Sequence, residues 1–148
     1  MSTKISLEYE TKLDPEFLAA GVSVHLIRLL ASVQVKTKLG WSRRYKGILD
    51  TGNLISVIPH FIWWPKAQVK WLLQRKSRLY GIGSGNVWGK LAEVTMIFSD
   101  LKDISPPITL KVFLLDDDST PLLIGFEDVL TVTNLFCDYR SQRAYLEL

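Results

Sequence analysis

The sequence predicts an all-β fold with one or two short helices. Apolar and polar residues alternate with period 2 in several stretches, as in Ile5–Tyr9, Ala92–Phe98 and Ile108–Leu114. Proline and glycine punctuate the chain between them, at Asp14-Pro15, Gly40 and Ser105-Pro106-Pro107. Helical spacing is confined to short stretches. A chain of 148 residues, 47% apolar and carrying five Trp, five Tyr and six Phe, has the size and the apolar content for a single domain with a sizeable core.

Taken in order, Ile5, Leu7 and Tyr9 mark a half-buried first strand that Asp14-Pro15 ends. Glu16 to Ala20 reads as a short turn closed by Gly21, and a second strand starts at Val22 and runs towards Val35. His25 falls opposite Val22, Val24 and Leu26, which makes it a surface or edge residue rather than a ligand. A basic loop from Lys36 to Arg44 bends at Gly40, and a strand from Tyr45 to Leu49 delivers Asp50. The spacing of Val69, Leu72 and Leu73, with Pro65 suited to a first turn, predicts a helix over Pro65–Gln74. Three alternating glycines in Tyr80–Asn86 predict the tip of a long hairpin, with Val87–Phe98 as its returning arm. Ile108–Leu114 is a strand, Pro121–Gly125 a short apolar one, Phe126–Leu130 one or two helical turns, and Phe136–Tyr139 with Ala144–Leu148 a final hairpin.

Charge and cysteine content narrow the function classes. A net charge of +3, with basic and acidic residues interspersed, argues against nucleic acid as the partner. Lys70, Arg75, Lys76 and Arg78 near Trp63, Trp64 and Trp71 can be read as a nucleic-acid patch, but a solvated face over tucked tryptophans gives the same string and is the preferred reading. Cys137 is the one cysteine, so neither an internal disulfide nor a cysteine-based zinc site is possible, and a packed thiol is expected. Asp116-Asp117-Asp118 is expected to be a solvated loop rather than a metal site. Charges at Lys4, Glu8, Glu10, Lys12 and Asp14 are incompatible with a signal-peptide apolar region, and Val22–Val35 is too short and too polar to span a bilayer. A cytoplasmic location and no membrane partner are the default expectations.

Two stretches carry chemistry. In Gly47-Ile48-Leu49-Asp50-Thr51-Gly52-Asn53-Leu54-Ile55-Ser56-Val57-Ile58-Pro59, an apolar strand presents a carboxylate at a turn of small residues. Tyr80-Gly81-Ile82-Gly83-Ser84-Gly85-Asn86 exposes backbone N–H groups, yet a phosphate loop is disfavoured because a strand, not a helix with Lys-Ser/Thr, comes after it. The first stretch resembles the active-site loop of the retropepsin-like aspartic proteases, and the second resembles their flap. Leu122-Leu123-Ile124-Gly125 is similar to the apolar-apolar-Gly segment that packs beneath that loop. All three occur in the family's order, over residues 21–148; residues 1–20 form an N-terminal extension outside the match, which points to a bacterial rather than a viral type.

The resemblance implies a closed acid-protease-like β-barrel, one lobe per chain, dimerising about a twofold axis. Metal-free peptide hydrolysis needs a base to activate water and an acid to protonate the departing amide. Two carboxylates about 3 Å apart cannot both ionise and so supply both; aspartic proteases are the standing example. The sequence has a single Asp-Thr-Gly, so the dyad requires Asp50 from each of two chains, hence a homodimer. The resemblance implies that Thr51 clasps the two loops, that Gly52 admits substrate, and that Gly81, Ile82, Gly83, Ser84 and Gly85 close over an extended peptide. Asn53, Leu54, Ile82, Val87 and Ile124 would line subsites for a peptide or protein substrate with apolar flanks, with no metal or cofactor. Asn53 stands where the family has Ala or Ser, and Leu54 and Phe126 stand where many members have an ion-paired acid and Arg. Two further readings are an inactive peptide-binding or scaffold module of the same fold and a basic β-barrel that binds nucleic acid.

Overall fold

The computed structural model describes residues 2–79 and 87–148. Twelve strands among them are β1 (Lys4–Leu13), β2 (His25–Thr37), β3 (Gly40–Trp41), β4 (Tyr45–Leu49), β5 (Ser56–Ile58), β6 (Lys70–Trp71), β7 (Ser77–Leu79), β8 (Val87–Ser99), β9 (Ile108–Leu115), β10 (Leu123–Ile124), β11 (Asn134–Asp138) and β12 (Arg143–Glu147). Two short helices, α1 (Pro15–Ala19) and α2 (His60–Trp63), and a single 3₁₀ turn at Leu130–Val132 complete them. No helix among the described residues is long and apolar enough to cross a membrane.

Alternation in the sequence becomes alternation of burial. On β8, Ala92, Val94, Met96 and Phe98 are all buried while Glu93 and Thr95 are partly exposed. Leu110, Val112 and Leu114 of β9 and Ala31, Val33 and Val35 of β2 meet them in one core, to which Ile5 and Leu7 of β1 and Leu146 of β12 also belong. Six strands, β2-β4-β10-β5-β9-β8, form a barrel that the β2–β8 pairing closes. Closure removes the free edges that an open sheet of this size would present. Along β2, residues 25–30 pair with β1 and residues 32–35 with β8, so the N-terminal strand continues the same sheet and links it to the β11–β12 hairpin. The Ser6 N–H donates to Asp100 Oδ2 at 2.7 Å across the junction between β1 and the end of β8.

One predicted element is replaced. Residues 65–74 are not helical: a helix covers His60–Trp63, and Lys70–Trp71 instead forms β6 at the edge of β8. Trp64 precedes a proline and takes an extended ψ of 137°, the conformation that the proline ring imposes on its predecessor. The backbone donors that a helix would have used go elsewhere: the Gln68 N–H to Lys36 O, and the Leu72 and Leu73 N–H groups to Leu91 O. Long-range pairing outweighed the local 3.6-residue period. The helix that does form takes its N-terminal partner from a distant loop, with the Phe61 N–H donating to Asp118 Oδ1 at 2.8 Å. Asp116, Asp117 and Asp118 are all exposed.

Two close contacts generate predictions. A Cβ at Gly89 would lie 2.3 Å from the Leu114 carbonyl oxygen and 2.8 Å from the Phe113 ring, so Gly89→Ala is expected to lower stability by about 3 kcal/mol or more, read from urea unfolding midpoints. Asp128, in the left-handed region at φ 62°, accepts the Lys111 N–H at 2.8 Å and lies 3.0 Å from Lys111 Nζ. Burial opposes its ionisation, but these donors outweigh burial and hold its pKa below the usual carboxylate range. Its stabilising effect is therefore complete above the unfolded pKa of about 3.9 and is lost as pH falls through the lower folded value. Asp128→Asn is expected to destabilise at pH 7 and to approach the wild type's stability in acid-unfolding curves below that range.

Candidate active site

Leu49 ends β4 one residue before Asp50, and β10 fixes the backbone at that point. Inserted between β4 and β5, β10 runs parallel to the first, pairing Leu123 with Ile48 and Ile124 with Leu49, and antiparallel to the second through Leu123 and Val57. The Ile48 N–H donates to Leu122 O and the Asp50 N–H to Ile124 O, both at 2.9 Å. The Asp50 backbone is thus held by the last ladder bond of the strand.

The loop then closes on itself. The Gly52 N–H donates to Asp50 Oδ1 at 2.9 Å and the Asn53 N–H to Asp50 O at 3.1 Å. Residues 125–127 fasten its far side: the Phe126 N–H donates to Asn53 O and the Glu127 N–H to Leu54 O, each at 3.0 Å, and the Gly125 N–H to Ser56 Oγ, also at 3.0 Å. This approach admits only glycine at 125. A Cβ there would stand 2.6 Å from the Ile55 carbonyl carbon and 2.8 Å from Asn53 O, backbone atoms that cannot swing aside.

The expected site residues separate into four groups. Asp50 is half-buried, Thr51 and Gly52 are exposed beside it, and Leu54 is 78% exposed at the loop tip, with Phe126 also exposed in the segment bonded to it. Asn53 turns inward, 9% exposed, with its Nδ2 buried and without a hydrogen-bond partner. Val87 and Ile124 lie in the core, at 3% and 0% exposure, so in the single chain their side chains present no surface to a ligand. Gly81, Ile82, Gly83, Ser84 and Gly85, the expected flap, lie outside the described residues; β7 pairs with Val87–Gly89 on either side of them.

Ser56 and Gly125 organise the loop more than sequence reasoning indicated. The one available signal was a serine inside the apolar run Ile55–Ile58, where a buried hydroxyl requires a partner. The Asx-type bond at Asp50 is not by itself distinctive, because Asp14, Asp100, Asp117 and Asp138 each accept the N–H two residues on. At Asp50 the turn is bonded in addition to β10, through the Ile124 carbonyl, and to residues 125–127. No family model and no curated protein matches the chain.

Two substitutions test this scaffold. Ser56→Ala leaves the buried Gly125 N–H unpaired and is expected to cost about 1–3 kcal/mol, measured by thermal or urea unfolding. Gly125→Ala is expected to displace the Asp50 loop, seen as amide chemical-shift changes concentrated at residues 50–56.

Proposed function

We propose that the protein is an aspartic endopeptidase that hydrolyses extended, apolar-flanked peptide segments with a dyad made from Asp50 of two subunits. The observation that supports this best is a partly exposed carboxylate at the end of a barrel strand, with its backbone bonded to β10 and its loop to residues 125–127. Such a carboxylate is held in place before substrate arrives, which general acid–base chemistry requires. Thr51 and Leu54 offer polar and apolar contact surface next to it, as a twofold partner would need.

In the proposed reaction one Asp50 carboxylate takes a proton from water as the oxygen attacks the scissile carbonyl carbon. The protonated Asp50 of the other subunit gives its proton to the carbonyl oxygen, forming a tetrahedral diol. The first Asp50 then passes the proton it took from water to the amide nitrogen as the C–N bond breaks, while one diol hydroxyl returns its proton to the second Asp50. This leaves a carboxylic acid, an amine and the dyad with its single proton. The metal-free acid and base are the same residue in two copies.

Asp50→Asn changes one oxygen to a nitrogen and tests the reading directly. Cleavage of a mixed peptide library at acidic to near-neutral pH is expected to fall to background, while sedimentation still gives twice the chain mass. Equal cleavage by wild type and Asp50→Asn would refute the enzyme. A strict monomer at assay concentration would refute the dyad, leaving the module reading.

A further inference from the structure

A second feature lies at the opposite end of β4, roughly 16 Å from Asp50 at the rise of an extended strand, and is independent of the reading above. A groove of about 780 Å³ opens there between the β2–β3 hairpin, the start of β4 and the exit of α2. Its lining includes Lys38, Arg43 and Lys66, and no carboxylate stands among the described lining residues. The same wall carries Trp41, Phe61 and Trp64, which are 39%, 50% and 59% exposed. Tyr45 packs beside Phe61, its ring edge-on with centroids 5.9 Å apart, and Arg43 lies over the Tyr45 face at 4.7 Å.

Both walls are held by hydrogen bonds. On the hairpin side, the Val35 N–H donates to Ser42 Oγ at 2.9 Å and Gln34 Nε2 to Ser42 O at 2.7 Å. On the other side, the Gln68 N–H donates to Lys36 O at 2.9 Å and Ala67 bridges to Thr37. The groove therefore exists before any ligand arrives. Three large, partly exposed rings, of which Trp64 is stacked on His60 with centroids 6.0 Å apart, share the lining with three cations and no described acid. This matches a chain that combines flat apolar rings with regular negative charge.

We propose that this groove binds single-stranded nucleic acid. Bases stack on Trp41, Phe61 and Trp64, and phosphates are neutralised by Lys38, Arg43 and Lys66. Stacking on exposed ring faces tolerates any base, so sequence preference is weak. An acidic peptide satisfies the cations but supplies few planar partners for the rings, which makes it the poorer fit. The tryptophans that the linear sequence grouped together divide their roles: Trp63 is buried with its Nε1–H donating to Leu115 O at 2.9 Å, while Trp64 turns out to the groove. The basic residues that meet there are scattered over positions 38, 43 and 66, so no run of charge announces the site.

The test is fluorescence anisotropy of short labelled oligothymidylate and oligouridylate with the full Asp50→Asn chain, which keeps any cleavage activity out of the measurement. Saturable binding is expected, weakening about eighteenfold between 50 and 200 mM salt for three neutralised phosphates. Trp64→Ala is expected to weaken it at least about fivefold through loss of a stacked base, and Arg43→Gln to flatten the salt dependence by about one phosphate. Circular dichroism confirms that each variant is folded, and Lys66→Glu serves if Trp64→Ala is not. No binding overturns the proposal. So does binding that Trp64→Ala leaves unchanged and inorganic polyphosphate displaces equally, or tighter binding of an acidic aromatic peptide than of either oligonucleotide.

Discussion

The insertion of two residues, Leu123 and Ile124, between β4 and β5 is the constraint on which the rest of the structure depends. These residues complete the barrel circuit, because without them β4 and β5 have no common neighbour. They also carry the ladder bond that fixes the Asp50 N–H, and they lead directly into Gly125, whose backbone contact with Ile55 and Asn53 draws the loop tight. Barrel closure and presentation of the carboxylate are therefore one packing event. A disturbance at Gly125 reaches both, since a close-packed interior transmits a displaced backbone instead of absorbing it.

The chain devotes many aspartates to the turns that such a small barrel requires. Asp14, Asp50, Asp100, Asp117 and Asp138 each accept the N–H two residues on, a local bond that stabilises a turn wherever it occurs. Asp100 shows what this bonding does electrostatically. Burial works against its charge, yet the N–H groups of Ser6, Asp103 and Lys102 hold its pKa below the ordinary value. It serves as a fixed anion at the junction of β1 and β8. Asp50 shares the turn bond, and its loop leaves Thr51, Leu54 and Phe126 exposed around it.

The strands were legible where the period of 2 was clean. Tyr45–Leu49 is bounded in the structure as in the sequence, and Val87–Phe98 gains only Ser99. Failures cluster where local pattern and long-range pairing disagree. Residues 65–74 have a helical face, but the carbonyls of Lys36 on β2 and Leu91 on β8 take up their backbone donors. Conversely, α2 lacks a strong local start signal because its capping carboxylate, Asp118, stands 57 residues away in sequence. Asn53 and Leu54 were read together, yet one is buried and the other is the exposed tip of the loop, a division that depends on where residues 125–127 bond.

By itself the sequence determined the β character of the chain, the strand that delivers Asp50, the small-residue turn around it and the short apolar segment ending at Gly125. These arise from alternation and turn chemistry, which act between near neighbours. Only the tertiary structure decided that the N-terminal strand joins the same sheet, that Ser56 receives the Gly125 N–H, and that Trp41, Phe61 and Trp64 share a groove with Lys38, Arg43 and Lys66. Those arrangements join residues far apart in sequence, and no local preference encodes them.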